Sequence, residues 1–286
     1  MIERKILFWN VGKVLDNNKL KLISTTLNKY SPNIVCIAEG SHSQNDCLKI
    51  EQELIVADFT KYYSPLLGKE KFGIQYISNG LKIFYKDCSI TNDFDFYFQR
   101  QDGRIVKFEL NNNGETISLI FLHNYSKNGD REYTTKQTIL LSDLNQLLKN
   151  SKLDTEESKV VLLGDFNLEP WDNLLRTPDL LDSYFLSKHL GWAEKKKKKE
   201  SLLFNPITEK MIFDKSTQIG GTFFSQSLGW TLFDYPIYNR KTLKLNFKII
   251  TEISNEISFD SKNGSDCDDL INNNFDHLPI LVTLNL

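Results

Sequence analysis

The chain has 286 residues, of which 40% are hydrophobic and 25% are charged, and its formal net charge at pH 7 is −2. This length and composition are typical of a globular protein with enough residues for a well-buried core. No stretch approaches the roughly 20 uninterrupted apolar residues of a transmembrane helix, so we expect no membrane span. The charge near zero disfavours binding that depends mainly on neutralising phosphates, because proteins of that kind are usually basic.

The N-terminal sequence and the cysteines both favour a cytoplasmic protein. The apolar run before Asn10 has about four residues, which is too short for the hydrophobic region of a signal peptide. The cysteines show no CxxC pair and no Cys/His spacing of a metal site. They are Cys36, Cys47, Cys88 and Cys267. We therefore expect free thiols and a cytoplasmic location, and the sequence sets no oligomeric state.

The N-terminal part of the chain has the pattern of a strand, a helix and a second strand. Residues 5–11 form a largely apolar run around Asn10, and residues 33–38 form another that ends at Glu39. Apolar residues at helical spacing lie between them, namely Leu20, Ile23 and Leu27. Strand, helix and strand with short joins are typical of layered α/β proteins.

From about residue 60 to residue 124 the pattern changes to consecutive strands. Apolar and aromatic runs predict strands at 62–63, 73–77, 81–85, 105–110 and 117–123. The sequence Asn-Asn-Asn-Gly at 111–114 predicts a hairpin turn between the last two strands, because Asn and Gly tolerate positive φ.

The next predicted element is a helix with a leucine-rich face. Its leucines are Leu140, Leu141, Leu144, Leu147 and Leu148. Beyond a strand at 159–165, we predict a helix at 178–190, an irregular stretch to about 220, strands at 232–238 and 243–250, a polar loop at 254–274 and a strand at 279–284. No repeat or linker divides the chain, so we expect one domain over residues 1–286.

The strand at 159–165 belongs to the sequence Lys-Val-Val-Leu-Leu-Gly-Asp-Phe-Asn-Leu-Glu-Pro, which presents Asp165 and Asn167 at the strand end. A turn alone explains both residues, because Asp and Asn bond to their own backbone. Other predicted strand ends, however, also carry polar residues able to do chemistry: Asn10, Glu39, His123 with Asn124, Asp234, and Asp276 with His277. Strand ends can meet at one edge of a sheet, where loops carry function, so we expect these residues to form one site.

Several short segments along the chain form a recognisable set. They are Phe8-Trp9-Asn10, residues 32–39 (Pro-Asn-Ile-Val-Cys-Ile-Ala-Glu), Gly103-Arg104, Leu122-His123, Gly164-Asp165-Phe166-Asn167, Gly221-Thr222-Phe223 with Phe233-Asp234-Tyr235, and Asp276-His277-Leu278-Pro279-Ile280. In residue type and in order, they resemble the endonuclease/exonuclease/phosphatase superfamily. This group contains DNase I-like nucleases, apurinic endonucleases of the exonuclease III type and inositol polyphosphate 5-phosphatases.

The resemblance implies a fold and a metal site. The fold is a four-layer α/β sandwich, in which two packed mixed β-sheets are flanked by helices. Glu39 is implied as the main metal ligand, with Asn10 and Asp276 nearby. A carboxylate and an amide oxygen are a sparse ligand set that suits Mg²⁺, which keeps several waters, and Mn²⁺ is an alternative.

The same resemblance assigns catalytic roles that suit phosphoester hydrolysis. Asp165 would orient or deprotonate the attacking water, and Asn167 would donate to a phosphate oxygen. His277 would act with them, its ring oriented by Asp234. Either Asp165 or His277 is the general base, and the sequence leaves this open. His123 would hold the phosphate or protonate the leaving group.

Two further residues are expected to bind substrate. Asn124 follows His123, and Arg104 places a cation at the start of a strand, although an exposed arginine at a turn is an equal alternative. The run Lys195–Lys199 would follow the backbone of a polymer, or would be a solvated loop. The sequence departs from the usual family pattern at three positions without removing a predicted catalytic group: Ala38, Phe275 and Pro236.

Three functions compete at this stage. The first is a Mg²⁺-dependent phosphodiesterase, specifically an endonuclease that cleaves DNA with weak sequence preference. The second is a phosphomonoesterase of inositol phosphates, phosphoinositides or nucleotides, for which the near-neutral charge leaves room. The third is an inactive binding module, which the complete set of competent residues disfavours.

Overall fold

Two mixed β-sheets form the centre of the protein, whose computed structural model describes residues 3–12, 16–39, 49–50, 52–54, 59, 61–63, 70–71, 74–75, 81–86, 103–112, 114–126, 135–177, 179–186, 188, 203–213, 221–225, 229–253 and 275–285. The strands are β1 (Glu3–Asn10), β2 (Ile34–Ala38), β3 (Lys61–Tyr63), β4 (Glu70–Lys71), β5 (Ile74–Gln75), β6 (Lys82–Tyr85), β7 (Ile105–Asn112), β8 (Glu115–His123), β9 (Val160–Asp165), β10 (Leu203–Phe204), β11 (Phe223–Ser225), β12 (Gly229–Thr231), β13 (Asp234–Asn239), β14 (Leu245–Ile249) and β15 (Ile280–Asn285). The helices are α1 (Asn17–Tyr30), α2 (Thr135–Asn150), α3 (Asn173–Arg176) and α4 (Ile207–Phe213).

The topology places one parallel strand pair in the middle of each sheet. The first sheet has the order β14-β15-β1-β2-β6-β3, and the second has the order β10-β13-β9-β8-β7. In the first sheet β1 and β2 are parallel, and in the second β8 and β9 are parallel, while the other pairs are antiparallel. Strand β1 contacts β9, and β13 contacts β15, so the two sheets pack face to face. The predicted fold class is confirmed.

Helices α1 and α2 form where the apolar spacing predicts them. Asp16 begins α1, because its side chain accepts a hydrogen bond from the amide of Lys19. Ser31 ends α1 in the left-handed conformation and donates its amide to the carbonyl of Leu27. The leucines predicted to form one face of α2 are all buried. Among the described residues, no helix is long and apolar enough to cross a membrane.

The predicted helix at 178–190 is absent over residues 179–186, whereas Lys188 is helical. Residues 179–181 form a turn, and Tyr184 makes a single bridge to Phe204. Leu180 and Leu181 lie in this turn and are buried in the core, which accounts for their apolar character. A separate short helix, α3, lies earlier, and α4 and the β11–β12 hairpin occupy stretches for which the sequence predicted no element.

Other predicted elements agree with the structure wherever it describes them. The chain turns between β7 and β8 as predicted, but Asn111 and Asn112 still belong to β7, and Gly114 has a φ of 85° in the turn. Of the strand predicted at 73–77, only β5 is described. Pro236 lies within β13, where β10 pairs only with Tyr238 and Asn239, so one side of the proline has no strand partner. The run Lys195–Lys199 and the loop at 254–274 lie outside the described residues.

Candidate active site

The parallel strand pairs bring the predicted residues to one edge of the molecule. Asn10 ends β1 beside Ala38 of β2, and Glu39 follows directly. His123 ends β8 beside Asp165 of β9. Two antiparallel strands begin at the same edge: Asp234 is the first residue of β13 and lies opposite Asp165, and His277 precedes β15.

Asp165 is the centre of a buried hydrogen-bond network. Its Oδ2 accepts from Nδ2 of Asn10 and from Nδ2 of Asn167, each at 3.0 Å. Its Oδ1 accepts from the backbone amide of Asn167 at 2.8 Å. Asn167 has a φ of 50°, a left-handed conformation that asparagine tolerates. This conformation folds the residue back, so that its amide and side chain both reach Asp165.

The protein raises the pKa of Asp165 to about 6. Burial is the main cause, and the negative charge of Asp234 adds to it, whereas His277, His123 and the amide of Asn167 lower the value. Asp165 is thus a carboxylate at neutral pH with its pKa close to the working range of a general base.

His277 and Asp234 form a buried pair beside Asp165. Nδ1 of His277 lies 2.8 Å from Oδ2 of Asp234. Burial alone would lower the pKa of His277, but the charge and hydrogen bond of Asp234, helped by Asp165 and Asp276, raise it to about 10. The ring is therefore an imidazolium at neutral pH. Its Nε2 then carries a proton, so its 3.4 Å approach to Nδ2 of Asn10 joins two donors and is not a hydrogen bond.

Thr222 holds Asp234 in place from the backbone side. Its hydroxyl oxygen accepts hydrogen bonds from the amides of Phe233 and Asp234, at 3.0 and 2.9 Å. The chain around His277 is anchored in the same way, since Nε1 of Trp9 donates to the carbonyl of His277 at 3.0 Å. The pair therefore sits on a fixed frame.

His123 links Glu39 to Asp165. Its Nε2 lies 3.4 Å from Oε1 of Glu39 and 3.8 Å from Oδ2 of Asp165. Among the described residues, Nδ1 of His123 and Nδ2 of Asn124 are buried atoms without a hydrogen-bond partner. Unpaired buried polar atoms of this kind are unusual in folded proteins and call for an explanation.

Glu39 has a backbone geometry that the sequence does not reveal. Its φ is 59°, in the left-handed region that non-glycine side chains adopt rarely, at a cost of order 1–3 kcal/mol. Its side chain is 19% exposed, so the carboxylate is accessible from solvent. Asp276 is exposed as well.

The donor set fits a hard divalent cation. Glu39 and Asp276 offer carboxylate oxygens, and Oδ1 of Asn10 accepts one hydrogen bond, from the amide of Gly12, which leaves it a second lone pair. One group of described side chains has its potential ligand atoms within 4.8 Å of one another, namely Asp165, Asp234 and His277. These atoms lie close together because His277 and Asp234 are hydrogen-bonded to each other, so their closeness needs no metal. We therefore favour the more accessible Glu39 as the ligand.

Arg104 lies beside the site and faces the backbone. Its Nη1 donates to the carbonyls of His123 and Asn124, at 3.0 and 3.4 Å. Its guanidinium carbon lies 4.1 Å from the ring centre of Tyr125, and Nζ of the exposed Lys136 lies 5.6 Å from the same ring. Arg104 therefore supports the segment that carries His123 and Asn124, and its contact with substrate stays a prediction.

The sequence analysis did not identify two buried lysines near the site. Lys19 and Lys82 are 0% and 1% exposed, and they donate to the carbonyls of Val11 and Glu39. Burial lowers the pKa of Lys19 to about 8, although the charges of Asp276, Asp16 and Glu39 act in the opposite direction. The available signal for Lys82 was a lysine between apolar residues in the sequence Leu-Lys-Ile-Phe-Tyr.

Comparison with known proteins gives matches in structure only. No family model and no curated protein sequence matches the chain. Among solved structures, D. rerio TDP2 complexed with a single strand DNA product is similar with a TM-score of 0.56 at 13% identity, over 99% of this chain and 99% of that chain. The human Nocturnin catalytic domain with a bound sulfate anion has a TM-score of 0.56 at 17% identity, over 99% of this chain and 94% of that one.

A third similar structure is an AP endonuclease from Archaeoglobus fulgidus. It has a TM-score of 0.55 at 15% identity, over 99% of this chain and 100% of that chain. At such identities the likeness shows the fold, and it agrees with the sheet order and packing described above. The chain therefore has a DNase I-like fold, as the resemblance in its sequence implied.

Proposed function

We propose that the protein is a metal-dependent phosphodiesterase that cleaves DNA with weak sequence preference, using Mg²⁺ or Mn²⁺. The observation that carries this proposal is the buried hydrogen-bond network around Asp165, which joins residues from both sheets. Asn10 and Asn167 donate to its carboxylate, and the His277–Asp234 pair lies beside it. Burial raises the pKa of Asp165, so keeping this carboxylate ionised costs stability, and such a cost favours a catalytic role.

Asp165 is best suited to act on the attacking water. Its carboxylate is held by the donors of Asn10 and Asn167, and its pKa of about 6 allows it to accept a proton at neutral pH. His277, kept protonated by Asp234, is better suited to donate from Nε2 to a phosphate oxygen or a leaving oxygen. This division makes Asp165 the base and His277 the acid.

The remaining residues bind the phosphate and the cation. Nδ1 of His123 and Nδ2 of Asn124 are buried and have no partner among the described residues, so these side chains would have to turn toward the substrate to bind its oxygens. Glu39 would hold the cation with Asp276 and Oδ1 of Asn10, and the cation would neutralise phosphate charge. The chain itself supplies orientation, a proton acceptor and a proton donor.

The choice of DNA rests on weaker support. Two of the similar proteins bear DNA-related names, one solved with a single strand DNA product and the other an AP endonuclease. Lys136 and Arg104 place positive charge at the ring of Tyr125, two residues after His123. A phosphomonoesterase of inositol phosphates, phosphoinositides or nucleotides is the second candidate, because a net charge of −2 does not require a polymer.

A substrate panel tests the proposal. The purified chain is incubated with plasmid, single-stranded DNA, abasic duplex, RNA and inositol phosphates, with Mg²⁺ or Mn²⁺ and with chelator, beside Asp165→Asn as control. We expect nicking of plasmid that chelator and the substitution abolish, and a rate that falls as salt rises. Release of phosphate from an inositol phosphate or nucleotide, with all nucleic acids intact, would favour the second candidate. No hydrolysis of any substrate would refute both.

A further inference from the structure

Lys82 is a buried lysine in strand β6 of the first sheet. Only 1% of the residue is exposed, and Leu81, Ile83 and Phe84 beside it in the chain are buried as well. Its Nζ donates to the backbone carbonyl of Glu39 at 2.5 Å. Lysine is almost never fully buried unless its charge is paired or bonded, so a specific contact must offset the loss of hydration.

The carbonyl that Lys82 contacts belongs to the residue with left-handed backbone. Glu39 directly follows β2, and in the register of the sheet Lys82 lies opposite Ile37, two residues before Glu39. A left-handed residue turns its carbonyl away from the direction of the preceding strand. The ammonium of Lys82 binds that carbonyl and so stabilises a conformation that a glutamate rarely adopts alone.

The neighbouring strand has the same arrangement. Nζ of the buried Lys19 donates at 2.5 Å to the carbonyl of Val11, the first residue after β1. Strands β1 and β2 end side by side, with Asn10 paired to Ala38. Thus each of the first carbonyls beyond these two strand ends receives a buried ammonium group. Both lysines therefore bind the segments that carry Asn10 and Glu39.

We propose that Lys82 is a positioning residue that fixes the Glu39 carboxylate for cation binding. The inference rests on the proposed function, because it takes Glu39 as the main cation ligand. Held left-handed, Glu39 directs its carboxylate toward His123, whose Nε2 lies 3.4 Å from Oε1. Without the Lys82 contact, the segment after β2 can relax to a commoner conformation and move the carboxylate away from this position.

The sign of the effect separates positioning from charge alone. A lysine close to a cation repels it, so if Lys82 acted only through its charge, its removal would strengthen cation binding. If Lys82 fixes Glu39, its removal weakens cation binding, as loss of groups that orient metal ligands typically does by 10–100-fold. The two explanations therefore predict opposite changes in the same dissociation constant.

The experiment measures Mn²⁺ binding directly, by the electron paramagnetic resonance signal of free Mn²⁺, in the wild type and in Lys82→Met. Methionine keeps an unbranched apolar side chain but removes the charge and the donor. We expect the dissociation constant for Mn²⁺ to rise at least about tenfold, a loss of about 1.4 kcal/mol. At saturating Mn²⁺, hydrolysis should recover most of the wild-type rate, because Asp165 and His277 are untouched.

The matched control is Lys107→Met. Lys107 is a buried lysine of β7, 4% exposed and paired with Glu109 at 3.0 Å, so the change removes a similar group from the second sheet, whereas Glu39 follows a strand of the first. Its Mn²⁺ affinity should match the wild type. Lys82→Arg, which keeps charge and donors, should bind Mn²⁺ more tightly than Lys82→Met.

The outcomes are distinct. Unchanged or tighter Mn²⁺ binding by Lys82→Met would overturn the inference and leave the proposed function standing. Should that variant fail to fold, Lys82→Gln carries the test with the same expected direction, and unchanged or tighter binding by it would again overturn the inference. A wild type that neither binds Mn²⁺ nor hydrolyses phosphoesters would instead refute the proposed function, and the inference with it.

Discussion

The His277–Asp234 pair makes a prediction about how activity depends on pH. The charge and hydrogen bond of Asp234 contribute most to raising the pKa of His277, whereas burial lowers this pKa. Asp234→Asn removes the charge but retains a side chain of the same shape. Burial is then opposed only by the charges of Asp165 and Asp276, so the pKa of His277 should fall toward its ordinary value of about 6.5.

The magnitude follows from the two values. With a pKa of about 10, the ring of His277 is about 99% protonated at pH 8. With a pKa of about 6.5, it is about 3% protonated at pH 8, so the proton donor becomes about 30-fold scarcer. At pH 5.5 the same ring is about 90% protonated. We expect the ratio of variant to wild-type kcat to rise by at least about tenfold from pH 8 to pH 5.5.

The assay is the pH profile of kcat from pH 5.5 to 8 at saturating substrate and cation. Asp234→Asn also removes a charge that raises the pKa of Asp165, so this base should stay ionised to lower pH in the variant, which adds to the expected rise of the ratio at pH 5.5. Asp182→Asn is the control, since Asp182 is also buried and its φ of 47° suits asparagine. Its ratio to wild type should not change with pH. A constant ratio for Asp234→Asn, or a double variant with His277→Ala that is far worse than His277→Ala alone, would refute the reasoning.

Three further predictions concern single residues. Glu39→Gln should keep the melting temperature of the wild type within a few degrees, while cation-dependent hydrolysis falls by orders of magnitude. Full turnover by this variant in Mg²⁺ would contradict the prediction. For Asp165→Asn, the free energy of unfolding in urea, relative to that of the wild type, should rise by up to about 3 kcal/mol from pH 4 to pH 8. The pKa of Asp165 is raised to about 6, so the wild type has this stabilising proton bound below about pH 4 and loses it as the pH rises through 6. An equal difference in unfolding free energy between variant and wild type at both pH values would exclude this. Gly164→Ala should lower stability by about 1–3 kcal/mol, because a Cβ there would meet the carbonyl oxygen of Leu122 at 1.9 Å, and an unchanged melting temperature would contradict it.

The sequence was sufficient to predict the elements that bury continuous apolar runs. Strands β1, β2, β8 and β9 combine apolar residues with polar ends, and their burial follows directly from that pattern. The prediction failed at 179–186, where Leu180 and Leu181 are buried in a turn. It also missed α4 and the β11–β12 hairpin, because elements this short show little periodicity.

That these residues meet at one edge could be predicted, but their contacts could not. The residue types and their order indicate which strand ends carry chemistry, and the structure brings Asn10, Asp165, Asn167, Asp234 and His277 into hydrogen-bonding distance or close contact. Nothing in the sequence indicates that Arg104 bonds to the backbone, or that Lys82 reaches Glu39. Such contacts depend on the register between strands that are distant in the chain.

The position of the site at the joined edges of both sheets explains why its acids tolerate burial. Asp165 and Asp234 belong to the second sheet and face each other across β9 and β13, which alone would place two carboxylates together. Residues from the first sheet, Asn10 on β1 and His277 before β15, supply the donors that compensate them. Because β1 lies between β2 and β15, this compensation requires that both ends of the chain be paired. The acids are therefore stabilised only in the assembled sandwich, and formation of the site is coupled to the packing of the two sheets.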